Sequence, residues 1–389
     1  MSSEIATPLM PVASAKPYFP ALTGLRALAA WLIFFHHVNS FKLKSLPERI
    51  TGEFHLGVTV FFVLSGLLIG VRYGRQLTLS RQWLVNYVRY RFARIYPLYF
   101  LLTCLYFVVY QLAPQYDNTG LFTESHLPGK ALVIGMNLTL LRSWFTGFRF
   151  TGIYTGWTLT VEEFFYLLAP FLLLGLQRRP ARLPLYVVGF VAIGCALVAL
   201  PAPFHRFGFM PTYTFMLAAT FFGRSFEFLG GIYLALLWLR QAPVLNWLVR
   251  RVSCTAVGGA WVLSCLGLLV LNHALPWSNE QADLGRIVIN NLLVVPGICL
   301  LLYGLMHEST RLGRLLSSQP FDLFGKASYA FYLIHAELLD RFLTLHVTAS
   351  LPLRFFITNA VAIALYKGVE DPLHRLLAPP RVASSATKK

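Results

Sequence analysis

Arg26 and His37 lie eleven residues apart in an otherwise apolar stretch, Leu25 to Val38. On a helix that spacing is about 1100°, three turns plus roughly 20°, so both side chains share one face about 16 Å apart. Ionisable groups inside a bilayer-spanning helix are rare and usually functional. An imidazole is the commonest base for activating a hydroxyl near neutral pH. The competing use of His37 is as a polar tether to another helix.

Three further groups carry possible chemistry. Glu162 and Glu163 follow Trp157-Thr158-Leu159-Thr160-Val161 at the head of an apolar run. A carboxylate at the depth of His37 could fix its tautomer, as in a catalytic dyad, or simply favour a helix N-terminus. Arg91 and Arg94 share a helix face at i, i+3 and suit a phosphate-bearing ligand, because guanidinium binds phosphate bidentately. Ser328, Tyr332 and His335 form a polar stripe on one face of a late helix, either lining a substrate tunnel or bonding to other helices. Ser65-Gly66 reads as packing, since small residues let helices approach and no nucleophile-elbow context surrounds the serine.

The elements that must position these groups are membrane helices. The chain of 389 residues is 56% hydrophobic and only 13% charged, with mean hydropathy +0.60. A soluble domain carries roughly 25% charged residues. The net charge of +17 would favour nucleic acid in a soluble protein. Here the basic residues cluster between apolar runs, as in loops facing anionic lipid, so nucleic acid is not an expected partner. The five cysteines, 104, 195, 254, 265 and 299, are scattered without metal-ligand spacing and read as small buried hydrophobes. No metal is expected.

A span needs about 20 mostly apolar residues. The sequence predicts an all-α polytopic protein of about ten transmembrane helices, near 20–40, 55–74, 95–113, 157–176, 184–202, 221–240, 252–274, 286–306, 327–347 and 350–370. The shorter run 130–142, with Asn137 inside it, reads as re-entrant or interfacial. Alternate connecting segments then hold twenty Lys and Arg against seven. The positive-inside rule places the richer set, and both termini, in the cytoplasm. Residues 1–19 form a cytoplasmic segment, 20–372 the membrane domain and 373–389 a cytoplasmic tail expected to be disordered. No signal peptide and no internal repeat is evident.

These segments, in order, resemble the acyltransferase-3 family of integral-membrane acyltransferases. The residues concerned are Leu22-Thr23-Gly24-Leu25-Arg26 with His37, Phe61 to Gly66, Arg91/Arg94/Pro97, Trp157 to Glu162, Ser328-Tyr329 through His335, and Val369-Glu370-Asp371-Pro372. The resemblance implies a multi-pass protein of the cytoplasmic (inner) membrane. It would move an acyl group, most often acetyl, from cytoplasmic acyl-CoA to a hydroxyl of an extracytoplasmic glycan. Acyl-CoA (acetyl-CoA) is then a co-substrate, no cofactor is permanently bound, and the partners are acyl-CoA, a carbohydrate acceptor and membrane lipid. Family positions map to Arg26 and His37, to Arg91 and Arg94, and to Glu162. The expected relay has Arg91 and Arg94 on the CoA phosphates, the acyl arm passing Arg26, and His37, oriented by Glu162, as base.

Two departures stand out. The family often has an acidic residue where Thr59 stands, which leaves Ser65 without an expected acidic partner, and Gln where Phe164 stands. The chain ends about 17 residues past Pro372, so a stand-alone form without a hydrolase-like domain is expected. The competing function is a proton-coupled exporter of a sugar or lipid, since buried Arg, His and Glu also relay protons. The two related halves usual in such transporters are not evident.

Overall fold

The computed structural model describes residues 17–38, 45–75, 77–272 and 279–379, excluding the side chains of 246 and 279–282. The expectations for residues 1–16 and 380–389, including much of the tail, lie outside the described residues. The described residues are helical and form no strand beyond one isolated bridge, Phe145 with Phe209. The architecture is a helical membrane bundle.

Six described helices are long and apolar enough to cross a membrane: Leu46–Tyr73, Arg81–Leu112, Tyr154–Arg178, Pro180–Val198, Cys254–Asn272 and Asp283–His307. A bent pair, Tyr213–Leu239 with Pro243–Arg251, would make seven. The count therefore falls below the ten expected from the sequence, for identifiable reasons. Pro20–His37 is 18 residues long but carries Arg26, His36 and His37. The stretch 327–347 is two short helices, Ser328–Ile334 and Leu338–His346. They part at His335–Glu337, where Glu337 takes φ +58°. Leu351–Leu365 continues through a π-turn, Tyr366–Glu370. The run around 130–142 forms a helix, Leu127–Leu138, of 12 residues, or about 18 Å, too short for a hydrocarbon core of about 30 Å.

Leu56–Tyr73 and Phe221–Leu239 pack closely through glycine. A Cβ on Gly66 would collide with the carbonyl of Phe228, and one on Gly231 with that of Val63. This close approach seats Ser65 in the bundle interior and explains the Ser-Gly pair. The second π-turn, Ile289–Leu293, points Asn290 and Asn291 inward. Such turns recur at functional sites.

Candidate active site

His37 occupies the last residue of Pro20–His37, and the break after Ile334 brings His335 to it. The Nδ1 of His37 lies 2.9 Å from the Nε2 of His335, which is fully buried. The Nδ1 of His335 sits 3.0 Å from the carbonyl of Tyr332 and 3.2 Å from that of Phe331. Carbonyl oxygens only accept, so this Nδ1 carries the proton, and the Nε2 of the neutral ring is a lone pair. His37 must then donate its Nδ1–H to His335, which leaves its own Nε2 unprotonated. That is the tautomer a general base needs.

His37 lines a cavity of about 490 Å³ together with His36, His55, Arg149, Trp157 and Tyr332. Tyr154 meets the His37 ring edge-on at 5.4 Å. Tyr332 is anchored by Thr158, whose hydroxyl is 2.7 Å from the phenol, and it donates to the carbonyl of Thr155 at 3.2 Å. Of the polar stripe, then, Tyr332 and His335 reach the His37 region. Ser328 does not: it is buried, its hydroxyl has no hydrogen-bond partner among the described residues, and it lines no part of this cavity.

Glu162 is placed otherwise than expected. Its Oε1 accepts from the Ser65 hydroxyl at 2.5 Å and from the Tyr166 phenol. The imidazole partner of His37 is His335, so Glu162 does not orient that ring. The correction has a simple geometric source. Glu162 lies one to two turns inside Trp157–Arg178, on the Arg26 side of the bundle, where Arg26 stands within electrostatic range of Glu162, Arg94, Glu370 and Tyr166. The expectation that Ser65 lacks an acidic partner is corrected by the same contact.

Arg91 and Arg94 do not present a free pair. Arg94 bonds Glu370 at 2.7 Å, and the glutamate side chain is only 2% exposed. The Arg91 guanidinium lies 5.2 Å from the Tyr166 ring, with the Tyr73 and Tyr87 rings at 5.9 and 6.0 Å, and its Nε is buried without an acceptor. The site therefore has two polar clusters, an imidazole chamber at His37 and an Arg–Glu–Tyr belt at Arg26. A separate cavity of about 540 Å³, lined by Arg75, Trp238, Arg250, Tyr303 and His307 among others, shares no residue with the chamber.

Sequence reasoning missed several residues. Thr59, fully buried, accepts from Arg224 at 3.1 Å and donates to Asn290 at 3.0 Å, while Arg224 pairs with Glu227 at 2.8 Å. The acid absent at position 59 thus has a counterpart at Glu227. Arg142, fully buried, bonds Asn137 Oδ1 at 2.7 Å and the carbonyls of Thr151 and Ile153, stapling the loop that precedes Trp157. One signal was available: the expected topology puts Arg142 and Arg149 on the side with few basic residues, where an arginine needs a reason.

The site is a pair of contacting histidines at the wall of a cavity, in a helical bundle with several membrane-length apolar helices. A family profile of acyltransferase domains matches residues 19–367, and the chain belongs to the acyltransferase-3 family. It is 27% identical over 82% of its length to a Bacillus subtilis protein, YrhL, provisionally named a peptidoglycan O-acetyltransferase. It is 24% identical over 92% of its length to O-acetyltransferase OatA of Staphylococcus aureus. The chain spans about half the length of these curated relatives, 48% and 57% respectively. No solved structure matches it.

Proposed function

We propose that the chain is a membrane O-acyltransferase moving an acetyl group from acetyl-CoA to a hydroxyl of an extracytoplasmic glycan. The observation that carries this reading is the His37–His335 contact, which leaves the Nε2 of His37 free to take a proton in a cavity of substrate size. The membership in an acyltransferase family and the O-acetyltransferase relatives support the reaction class.

In the proposed mechanism the acceptor hydroxyl enters the chamber and gives its proton to His37 Nε2. The alkoxide oxygen attacks the thioester carbonyl carbon, a C–O bond forms, the C–S bond breaks, and CoA leaves as the thiol after taking a proton. His335 stays neutral and accepts from the imidazolium. Arg26, Arg91 and Arg94 line the approach of the acyl-CoA from the cytoplasmic side, in the orientation given by the positive-inside bias. With Arg94 neutralised by Glu370, Arg91 and Arg26 carry the charge offered to the CoA phosphates. Glu162, Ser65 and Tyr166 form a polar brace within the Arg26 belt.

The test is transfer of radiolabel from acetyl-CoA to glycan in membranes containing the chain. A histidine base contributes about 10²–10⁴-fold, so His37→Ala should reduce transfer to background at unchanged protein level. Wild-type transfer by that variant would remove the assignment. Label-independent sugar flux without acetylation would favour an exporter.

A further inference from the structure

The chamber beside His37 contains charges that proton transfer does not use. Three arginines, 149, 224 and 286, line it, with one exposed carboxylate, Asp283, at its edge. Arg224 is matched by Glu227 at 2.8 Å, and Arg286 faces Glu53 at 3.4 Å. Arg149 has no carboxylate in ion-pair range among the described residues. Its guanidinium lies 4.4 Å from the Trp157 ring and 4.7 Å from Phe150, with Phe215 at 5.8 Å. Its Nε is buried without an acceptor among the described residues. Aromatic faces steady a cation, but they accept none of its five N–H donors, whose fork matches a carboxylate or a phosphate. A part-buried guanidinium so held can offer its donors to an anion.

The other walls say what kind of molecule brings that anion. Tyr154 stacks on Phe150 at 4.6 Å and meets His37 edge-on at 5.4 Å. The aromatic surface thus runs from Arg149 to the base, and flat aromatic walls suit the apolar face of a sugar ring. Asn290 and Asn291 also line the wall, their amides bonded to one another and to Thr59, Leu217 and Gly223. The volume of about 490 Å³ is that of a small-ligand site.

Resting on the proposed transfer reaction, we infer that Arg149 is the recognition point for a negatively charged group on the acceptor, so that the acceptor is an acidic sugar unit. The anion, a carboxylate or a phosphate, seats on Arg149, the ring lies along Trp157, Phe150 and Tyr154, and a hydroxyl is presented to His37. Arg149 acts in specificity and takes no part in proton transfer.

The test is binding to purified protein in phosphatidylcholine nanodiscs, with methyl glucuronide, methyl glucoside 6-phosphate, methyl glucoside and inorganic phosphate as probes. At least one acidic glycoside should bind about 10- to 100-fold more tightly than methyl glucoside, as a charge-assisted hydrogen-bonded pair implies. Whichever of the two binds tighter identifies the anion as carboxylate or phosphate, and inorganic phosphate alone should bind more weakly than either. Arg149→Gln should erase the preference and leave methyl glucoside unaffected, while Arg149→Lys should keep part of it. No preference in the wild type, an unchanged preference in Arg149→Gln, or phosphate binding as tightly as the glycosides would each overturn the assignment. The wild-type comparison decides even if a variant fails to fold. Acetyl transfer from acetyl-CoA is measured in parallel: an acid preference without transfer defeats the transferase reading alone, and transfer without an acid preference defeats the Arg149 assignment alone.

Discussion

His37 donates its Nδ1 proton to His335 across 2.9 Å, and His335 is held in the matching tautomer by two backbone carbonyls of its own helix. An imidazole thus does for His37 what a carboxylate does in a Ser-His-Asp arrangement, but without a fixed negative charge. In the proposed transfer the imidazolium formed on His37 would be stabilised by a neutral acceptor. Hydrogen-bonding of the Nδ1–H, not ion pairing, sets the ring's orientation.

Loss of this acceptor should act on turnover. His335→Ala is expected to lower kcat by at least about 10-fold, part of the total of about 10²–10⁴ that a positioned base supplies, with the KM for acetyl-CoA little changed. His335→Gln, whose amide oxygen also accepts, should recover part of the loss. Steady-state kinetics on the two variants checks this; equal loss in both would mean that the contact is packing.

Glu162 should behave differently from His335. Because its partners are Ser65 and Tyr166, Glu162→Gln should leave the pH dependence of kcat as it is, even where it slows transfer. A displaced acidic limb in that variant would return Glu162 to the role of orienting His37. Ser65→Ala removes one hydrogen bond to a charged group, about 1.5–3 kcal/mol, measurable as a lower Tm in detergent.

The Arg94–Glu370 pair offers a stability test. Removing Arg94 takes the ion-pair partner from Glu370, 2% exposed, and leaves Arg26 in electrostatic range as its partial compensation, a loss of up to about 3–5 kcal/mol. Arg94→Met should therefore unfold at markedly lower temperature, and the double change Arg94→Met with Glu370→Leu should regain much of the loss. Thermal melting of the three variants is the measurement.

Glu308 provides a pH prediction outside the spans. It follows the helix that ends at His307 and accepts from the backbone N–H groups of Cys254 and Thr255 and from the Ser253 hydroxyl. Burial works to raise its pKa, but the hydrogen bonds from Ser253, Thr255 and Cys254 outweigh it and hold the carboxyl below its usual 4.5. A depressed folded-state pKa stabilises the fold at pH above the unfolded value, and that contribution is lost as pH falls through the folded one. Glu308→Gln should accordingly melt lower than wild type at pH 7, with the difference shrinking below about pH 4.5.

The helical class and most apolar runs were legible because a bilayer demands long apolar segments, and the chain has them. Arg26, His37 and Glu162 were legible as costly residues for the same reason. Their partners were not. Helical spacing put Arg26 and His37 on one face, but it could not show that the late helix breaks at His335–Glu337, since no proline or glycine marks that break. Thr59 as hydrogen-bond partner of Arg224, with Glu227 as its counter-ion, was equally invisible, because the contact joins helices 165 residues apart.

What the sequence determined by itself is which residues are too polar for their surroundings, because periodicity and transfer cost act locally along one helix. What tertiary structure decided is how each was compensated: His335 for His37, Ser65 and Tyr166 for Glu162, Glu370 for Arg94, aromatic rings for Arg149. A buried polar group must find a partner, but which one it finds depends on crossing helices and on breaks in them. Those are properties of the packed bundle and of no single segment.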